Sequence, residues 1–328
     1  MKIGCLIGIL PLLSGLLPGQ TAPQRGLALA QDNLPFLSPL SGRMRWTGNR
    51  LAGCDYCEGN HPIVWAVDRQ GNREAVALDI PDAGYLGVRD VASGPDGSLT
   101  TVGLAISGDS RMGTFIAWIS PDSARQAVTR VWPYDPEVVT VASDGTIWTV
   151  GAMSNDNHVV VYPNVLRHYT PSGQLLASTL ITGVRKNSGG LYNVSNTSTL
   201  MASNDRIGWL TMTCQYIEFS FDAVQLGSSY TCPNGYKRIL DVGGVALSSA
   251  NELLVGGKWP ASTPPLELDR DTGTWKPVPV SKDPGNTRRL LGFDGLTLVT
   301  LATSALPNGP GPTWMRRYTW SDGPSGSQ

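Results

Sequence analysis

Six polar residues stand at similar distances before a turn that recurs along this chain. They are Arg89, Asp90, Glu137, Asn193, Asp241 and Arg288, with Asn196 and Arg289 beside two of them. If the strands that carry them lie side by side, their carboxylate, amide and guanidinium groups converge and could bind a polar ligand together. Acids and bases are in rough balance, so mutual pairing around a solvated channel is the simpler interpretation of the same residues.

Four cysteines follow the N-terminal segment: Cys54, Cys57, Cys214 and Cys232. In an exported protein an even number favours two disulfides. A local bridge between Cys214 and Cys232 and a small loop closed by Cys54 and Cys57 are the simplest pairing, although four cysteines allow three pairings. The Cys54-x-x-Cys57 spacing is also that of a redox motif, but such a motif belongs at a helix start, and this one lies between predicted strands.

Other catalytic chemistry finds little support in the sequence. The three histidines, His61, His158 and His168, fall in loops or on a strand predicted to lie away from the centre, so none is placed as a general base. No serine stands in a Gly-x-Ser-x-Gly context, and no glycine-rich phosphate-binding loop occurs.

The elements that would position these residues come from an internal repeat. A small-residue or Asx-Gly turn followed by an alternating apolar strand occurs six times, at steps of 44 to 60 residues. The turns are Ser41-Gly42, Asp96-Gly97, Asp144-Gly145, Asn204-Asp205, Ala250-Asn251 and Asp294-Gly295. A second turn-ending strand alternates with the first, and helical periodicity is almost absent. A period of about 50 residues with strands throughout predicts an all-β, six-bladed β-propeller of four-stranded antiparallel blades.

The last predicted blade is incomplete. After Ser321-Asp322-Gly323 only five residues remain, too few for a fourth strand. Propellers commonly close by sharing one blade between the two ends of the chain. We therefore expect the residues after Gln31 to complete the sixth blade, or its outer strand to be missing.

The N-terminus has the pattern of a secretory signal peptide. Lys2 precedes an apolar run from Ile3 to Leu17, and Ala28-Leu29-Ala30 forms an A-x-A cleavage site. We expect residues 1–30 to be removed near Ala30, and residues 31–328 to form one propeller domain that is secreted or periplasmic. An uncleaved anchor is the alternative; after cleavage no integral membrane span is expected.

Charge argues against two classes of partner. The chain has a net charge of −1 and no cluster of more than two Lys or Arg residues. Nucleic acids and anionic membranes are therefore not expected partners.

The repeated unit resembles the NHL and SMP-30/gluconolactonase group of six-bladed propellers, in its inner strand, its Asp-Gly turn and the apolar strand after it. The segment Asp144-Gly145-Thr146-Ile147-Trp148 also resembles the blade motif of streptogramin-lyase-like propellers. The lyase resemblance implies a histidine at the channel, for which this chain offers no candidate.

The lactonase resemblance implies a divalent metal at the channel mouth. Members of that group hold it with a Glu, Asn and Asp set, which corresponds here to Glu137, Asn193 or Asn196, and Asp241. Their oxygen atoms suit Ca²⁺ or Mg²⁺, and such an ion would polarise a lactone or ester carbonyl and activate water. The family usually places its first Glu on the opening inner strand, whereas the segment from Leu34 (LPFLSPL) has no acid.

Two functions remain as expectations. The mixed channel residues and the long polar loops favour a secreted binding or interaction module for an unknown protein or small molecule, acting as a monomer without a cofactor. The alternative is a metal-dependent lactonase or esterase with its site at the channel mouth.

Overall fold

The computed structural model describes residues 25–36, 44–109, 111–186, 198–233, 244–256, 264–280, 287–306 and 309–321. Every regular element in these ranges is a β-strand, and the strands form six antiparallel sheets, the blades of a six-bladed β-propeller. The predicted fold class is therefore confirmed. Within these ranges no helix is long and apolar enough to cross a membrane.

We number the blades I to VI and give their strands from the innermost outward. Blade I consists of β2 (Met44–Thr47), β3 (Arg50–Asp55), β5 (Ile63–Val67) and β6 (Arg73–Ala77). Blade II consists of β7 (Ala83–Ser93), β8 (Leu99–Ser107), β9 (Met112–Ile119) and β10 (Gln126–Arg130), and the short β4 (Glu58–Gly59) pairs with the free edge of β7. Blade III consists of β11 (Tyr134–Val141), β12 (Ile147–Ser154), β13 (Val160–Tyr169) and β14 (Leu175–Leu180).

The second half of the ring repeats this pattern. Blade IV consists of β15 (Thr199–Ala202), β16 (Arg206–Leu210), β17 (Gln215–Ser220) and β18 (Gln225–Thr231). Blade V consists of β19 (Val245–Leu247), β20 (Leu253–Val255), β21 (Leu266–Asp269) and β22 (Thr274–Pro277). Blade VI consists of β23 (Thr287–Asp294), β24 (Thr297–Leu306), β25 (Gly309–Ser321) and β1 (Gly26–Phe36). The innermost strand of each blade contacts those of its two neighbours, so the six strands form a closed ring around a channel.

The repeated turns explain why this sequence forms blades. Asp96 and Asp144 each accept a hydrogen bond from the backbone N–H two residues later, at 2.9 Å. The glycines that follow them have φ of +88° and +82°, a left-handed conformation that few other residues adopt easily. These Asx-Gly turns reverse the chain between the first and second strands of blades II and III.

The hydrophobic core lies between the blades. Six clusters of buried apolar residues each combine side chains from two adjacent blades. In one of them Trp148 of blade III and Trp209 of blade IV are fully buried. Large rings fill the gap between blades that diverge outward from the axis, as their recurrence in the sequence indicates.

The N-terminal strand closes the ring, as expected. β1 pairs antiparallel with β25, from Gly26 opposite Ser321 to Phe36 opposite Thr313. The strand begins at Gly26, however, before the predicted domain boundary at residue 31. Leu27 is 2% exposed and packs in the cluster between blades V and VI, and its N–H donates to the carbonyl of Pro279 at 2.8 Å.

The residue before this strand is held as well. The Arg25 guanidinium forms ion pairs with Glu252 and Glu267 of blade V. It also lies 4.0 Å from the ring centroid of Trp320 on β25. Arg25 and the first residues of β1 are therefore part of the propeller.

Candidate binding sites

Two inner strands carry a bulge that sets the direction of predicted site residues. Register shifts in β7 and β11 leave Arg89 and Glu137 as extra residues, next to the positions opposite Gly103 and Gly151. A Cβ on Gly151 would lie 2.2 Å from the carbonyl oxygen of Asp135, so only glycine fits where the strand bulges. The bulges therefore explain why a glycine ends each of the sequences TTVG and WTVG.

Arg89 and Glu137 bind each other. Arg89 Nη1 lies 2.9 Å from Glu137 Oε1 and 2.5 Å from Asp135 Oδ1, so one guanidinium of blade II holds two carboxylates of blade III. All three side chains are partly buried. The interpretation of mutual pairing therefore holds for these two predicted residues.

Asp90 takes part in a second and more deeply buried ion pair, with Arg45 of blade I. The Arg45 guanidinium also donates to the carbonyls of Val139, at 2.8 Å, and Leu200, at 2.7 Å. Asp90 Oδ2 accepts the Val139 N–H at 2.8 Å, and its side chain is 1% exposed. Arg45 therefore crosses the channel and joins blades I, II, III and IV.

Arg45 is not among the predicted site residues. The sequence predicts that it lies on the strand after the turn Ser41-Gly42, the second strand of its blade, whereas the structure places it on β2, the innermost strand, between the buried Met44 and Trp46. The cavity beside it has a volume of about 50 Å³, enough for a few waters but not for an organic ligand.

The other residues predicted at the channel mouth cannot be placed beside these ion pairs. Asn193 and Asp241, with Asn196, lie outside the described residues. Arg288 is on β23 opposite Ala302, but nothing is described of its side chain. In the described ranges no group of three His, Cys, Asp or Glu could hold a metal ion, and the third proposed ligand, Glu137, is paired with Arg89. The metal site thus remains a prediction.

One of the two predicted disulfides is present. Cys214 and Cys232 form a disulfide within blade IV, with Cα atoms 5.3 Å apart, as predicted. Cys54 and Cys57 are free thiols, so the predicted small-loop disulfide is not formed in this structure. The Cys57 thiol donates to the Cys54 carbonyl at 3.3 Å, and a hydrogen bond from the Cys54 thiol lowers the pKa of Cys57. The same hydrogen bond, with burial, raises the pKa of Cys54.

The histidines lie away from the channel centre, in agreement with the sequence analysis. His168 stacks on Trp148 with ring centroids 3.8 Å apart, and burial lowers its pKa. His158 packs near Trp132 at 4.6 Å, and His61 is exposed in a loop.

A larger cavity lies at the opposite end of the molecule from the predicted mouth. We call it the turn-face groove, because turns of blades II and III form its rim. Its volume is about 540 Å³, and its lining is mostly apolar. It is lined by Pro95, Asp96, Thr100, Trp118 and Ala127 of blade II, and by Val141, Asp144 and Pro171 of blade III.

The turn-face groove was not predicted, because it forms between two blades. Its rim comes from turns 48 residues apart in sequence, those of Asp96 and Asp144, which only the propeller places side by side. The recurrence of the Asp-Gly turn is visible in the sequence, but a turn by itself indicates only a reversal of the chain.

Comparison with known proteins identifies no family for this chain. No protein-family model matches this chain, and no curated protein matches its sequence. Among solved structures it is similar to a protein of unknown function from Bacteroides caccae, with 12% identity and a TM-score of 0.42, over 86% of this chain and 84% of that chain. It is also similar to the WD40 β-propeller domain of Doa1, with 10% identity and a TM-score of 0.42, over 90% of this chain and 97% of that chain. The resemblance to the NHL and SMP-30 group stays a prediction.

Proposed function

We propose that this protein is an exported binding module that takes a small ligand, or a small part of a larger one, into the turn-face groove. The groove carries the proposal. Its volume of about 540 Å³ lies within the usual range of small-molecule sites, roughly 300–1,000 Å³. Such sites combine an apolar, aromatic lining with a few polar groups, and Trp118, Asp96 and Asp144 supply both kinds here.

The geometry of the channel supports this choice of site. Arg45 spans the channel, and the cavity beside it holds only water-sized molecules. Arg89, Asp90 and Glu137 have partners within the protein, so their hydrogen-bonding capacity is largely used by the ring itself. A ligand in the turn-face groove needs none of these contacts to break.

Export is supported by two features. The Cys214–Cys232 disulfide is typical of an oxidising compartment outside the cytoplasm. The basic and apolar pattern from Lys2 to Leu17 is typical of a secretory leader.

Ligand-observed NMR with a fragment library tests the proposal. We expect aromatic fragments to bind the native protein and to lose binding in Trp118→Ala, because Trp118 supplies the aromatic surface of the groove. Trp275→Ala is the matched control: this half-buried indole of blade V donates to the Thr231 carbonyl at 2.8 Å, away from the groove. If the fragments bind the Trp118→Ala variant as tightly as they bind the native protein, the ligand site lies elsewhere.

The metal-dependent hydrolase stays a prediction, because two of its three ligands, Asn193 and Asp241, lie outside the described residues. Metal analysis of the purified protein, with melting temperatures measured with and without a chelator, separates it from a binding module. A binding module of the proposed kind is metal-free and melts at the same temperature in both conditions. A stoichiometric Ca²⁺ or Mg²⁺ whose removal lowers the melting temperature would favour the hydrolase, and lactone and ester assays would follow.

A further inference from the structure

Two carboxylates line the turn-face groove, and in each only one of the two oxygens accepts hydrogen bonds from the described residues. Asp96 Oδ1 accepts the N–H and the hydroxyl of Ser98, at 2.9 and 2.7 Å. Asp144 Oδ1 accepts the same two groups of Thr146, also at 2.9 and 2.7 Å. The Oδ2 atoms of Asp96 and Asp144 accept no hydrogen bond from any residue in the described ranges. Each aspartate thus uses one oxygen for its turn and leaves the other for a ligand.

The negative charge of these carboxylates is not balanced within the groove. No Lys, Arg or His is among the residues that line it. The guanidinium of Arg50 packs against Gly97, beside the groove, but it is paired with Glu74 at 2.7 Å. Asp96 and Asp144 are both exposed, so a positively charged ligand on the apolar surface between them would find two accessible acceptors of opposite charge.

Trp118 completes the set. The indole is half-buried in the lining, beside the exposed Pro95, Pro171 and Ala127. An electron-rich indole favours a cation, and the surrounding apolar atoms favour a hydrocarbon or aromatic group.

We propose that the turn-face groove binds an organic cation, an ammonium or guanidinium group joined to an apolar body. The proposal rests on the proposed function and specifies the ligand of the same site. Asp96 and Asp144 receive the charged N–H groups, and Trp118 contacts the apolar body of the ligand. An anion of the same shape is repelled by the two carboxylates.

Three probes of nearly the same shape test the charge requirement: phenethylamine, phenethyl alcohol and phenylacetate. By isothermal titration at low salt we expect the amine to bind at least about tenfold more tightly than the alcohol, and the acetate to show no binding. In the double variant Asp96→Asn and Asp144→Asn the amine should lose this advantage, while the alcohol binds as before. Asparagine keeps the Oδ1 acceptor on which each turn depends, so the variant retains its fold.

Asp68→Asn is the matched control, because Asp68 makes a similar turn in blade I, with Gln70 N–H at 2.8 Å, and does not line the groove. It should bind all three probes as the native protein does. Equal binding of amine and alcohol, or no binding of the amine at millimolar concentration, would overturn the cation proposal. If the proposed function itself is wrong, the Trp118→Ala substitution changes the binding of no probe or fragment, whatever its charge. That result differs from a loss of the preference for the amine alone.

Discussion

At the scale of single residues, Arg45 and Asp90 show how the ring fixes its own centre. Propeller blades pack mainly through apolar side chains, which resist separation but do little to specify the relative height of neighbouring strands. The Arg45 guanidinium has fixed donor directions, and its acceptors belong to β7, β11 and β15. Asp90, which was predicted to receive a ligand in the channel, therefore binds Arg45 instead, and Arg45 aligns four blades.

Asp90→Asn should destabilise the protein by about 3 kcal/mol, because it removes the charge that compensates a largely buried guanidinium. The measurement is the free energy of unfolding in urea. Asp109→Asn is the control: that carboxylate is 55% exposed beside Arg111, and its loss should cost less than about 0.5 kcal/mol. Adding Arg45→Met to Asp90→Asn should cost less than the sum of the two single changes. An Asp90→Asn variant as stable as Asp109→Asn would contradict this role of the ion pair.

The two free thiols should differ in reactivity. A thiol with a lowered pKa has more thiolate at neutral pH, so Cys57 should react with iodoacetamide before Cys54 at pH 7 in the reduced protein. Its advantage over an ordinary thiol should shrink as the pH rises past about 8.5. Peptide mapping by mass spectrometry identifies the labelled residue. Cys54→Ala removes the donor and should slow the labelling of Cys57 at pH 7; an unchanged rate would show that the hydrogen bond has no such effect.

At the scale of elements, the bulges of β7 and β11 depend on a glycine in the neighbouring strand. Gly151→Ala should destabilise the protein by about 1–3 kcal/mol, because its Cβ would lie 2.2 Å from the carbonyl oxygen of Asp135, and backbone atoms must move. Gly227→Ala on β18 is the control: its Cβ meets no atom within 4 Å, so the smaller backbone entropy of the unfolded chain should leave stability equal or slightly raised. Thermal unfolding of both variants checks the prediction. Equal loss at both positions would mean that the bulge is not the cause.

The elements also show what the sequence could and could not predict. Asx-Gly turns and strand alternation are local, so the blades and the Cys214–Cys232 bridge could be predicted without knowledge of tertiary contacts. The Arg45–Asp90 pair and the turn-face groove join residues of different blades, and no local pattern reports such contacts. The sequence predicts Gly26–Ala30 as the end of a leader, and the structure places the same residues in β1, because an apolar strand and the end of a signal peptide share small and apolar residues.

At the scale of the whole molecule, closure of the ring requires the first strand to be intact. A chain that begins at Gln31 would lose the pairing of Gly26–Leu29 with β25, the burial of Leu27 and the ion pairs of Arg25. Loss of the Leu27 side chain alone should cost about 3 kcal/mol. If the proposed leader is cleaved, we therefore expect the cut to leave Arg25 in the mature protein, upstream of the predicted position at Ala30.

Two truncated proteins test this expectation, one beginning at Arg25 and one at Gln31. The first should unfold in urea like the native protein, and the second should be at least about 3 kcal/mol less stable, because blade VI then closes with a shortened strand. Arg25→Ala in the longer protein is the control, since partly exposed ion pairs contribute no more than about 1 kcal/mol. N-terminal sequencing of the exported protein should give a residue at or before Arg25. A mature chain that starts at Gln31 and is as stable as the longer one would show that the ring closes without the first half of β1.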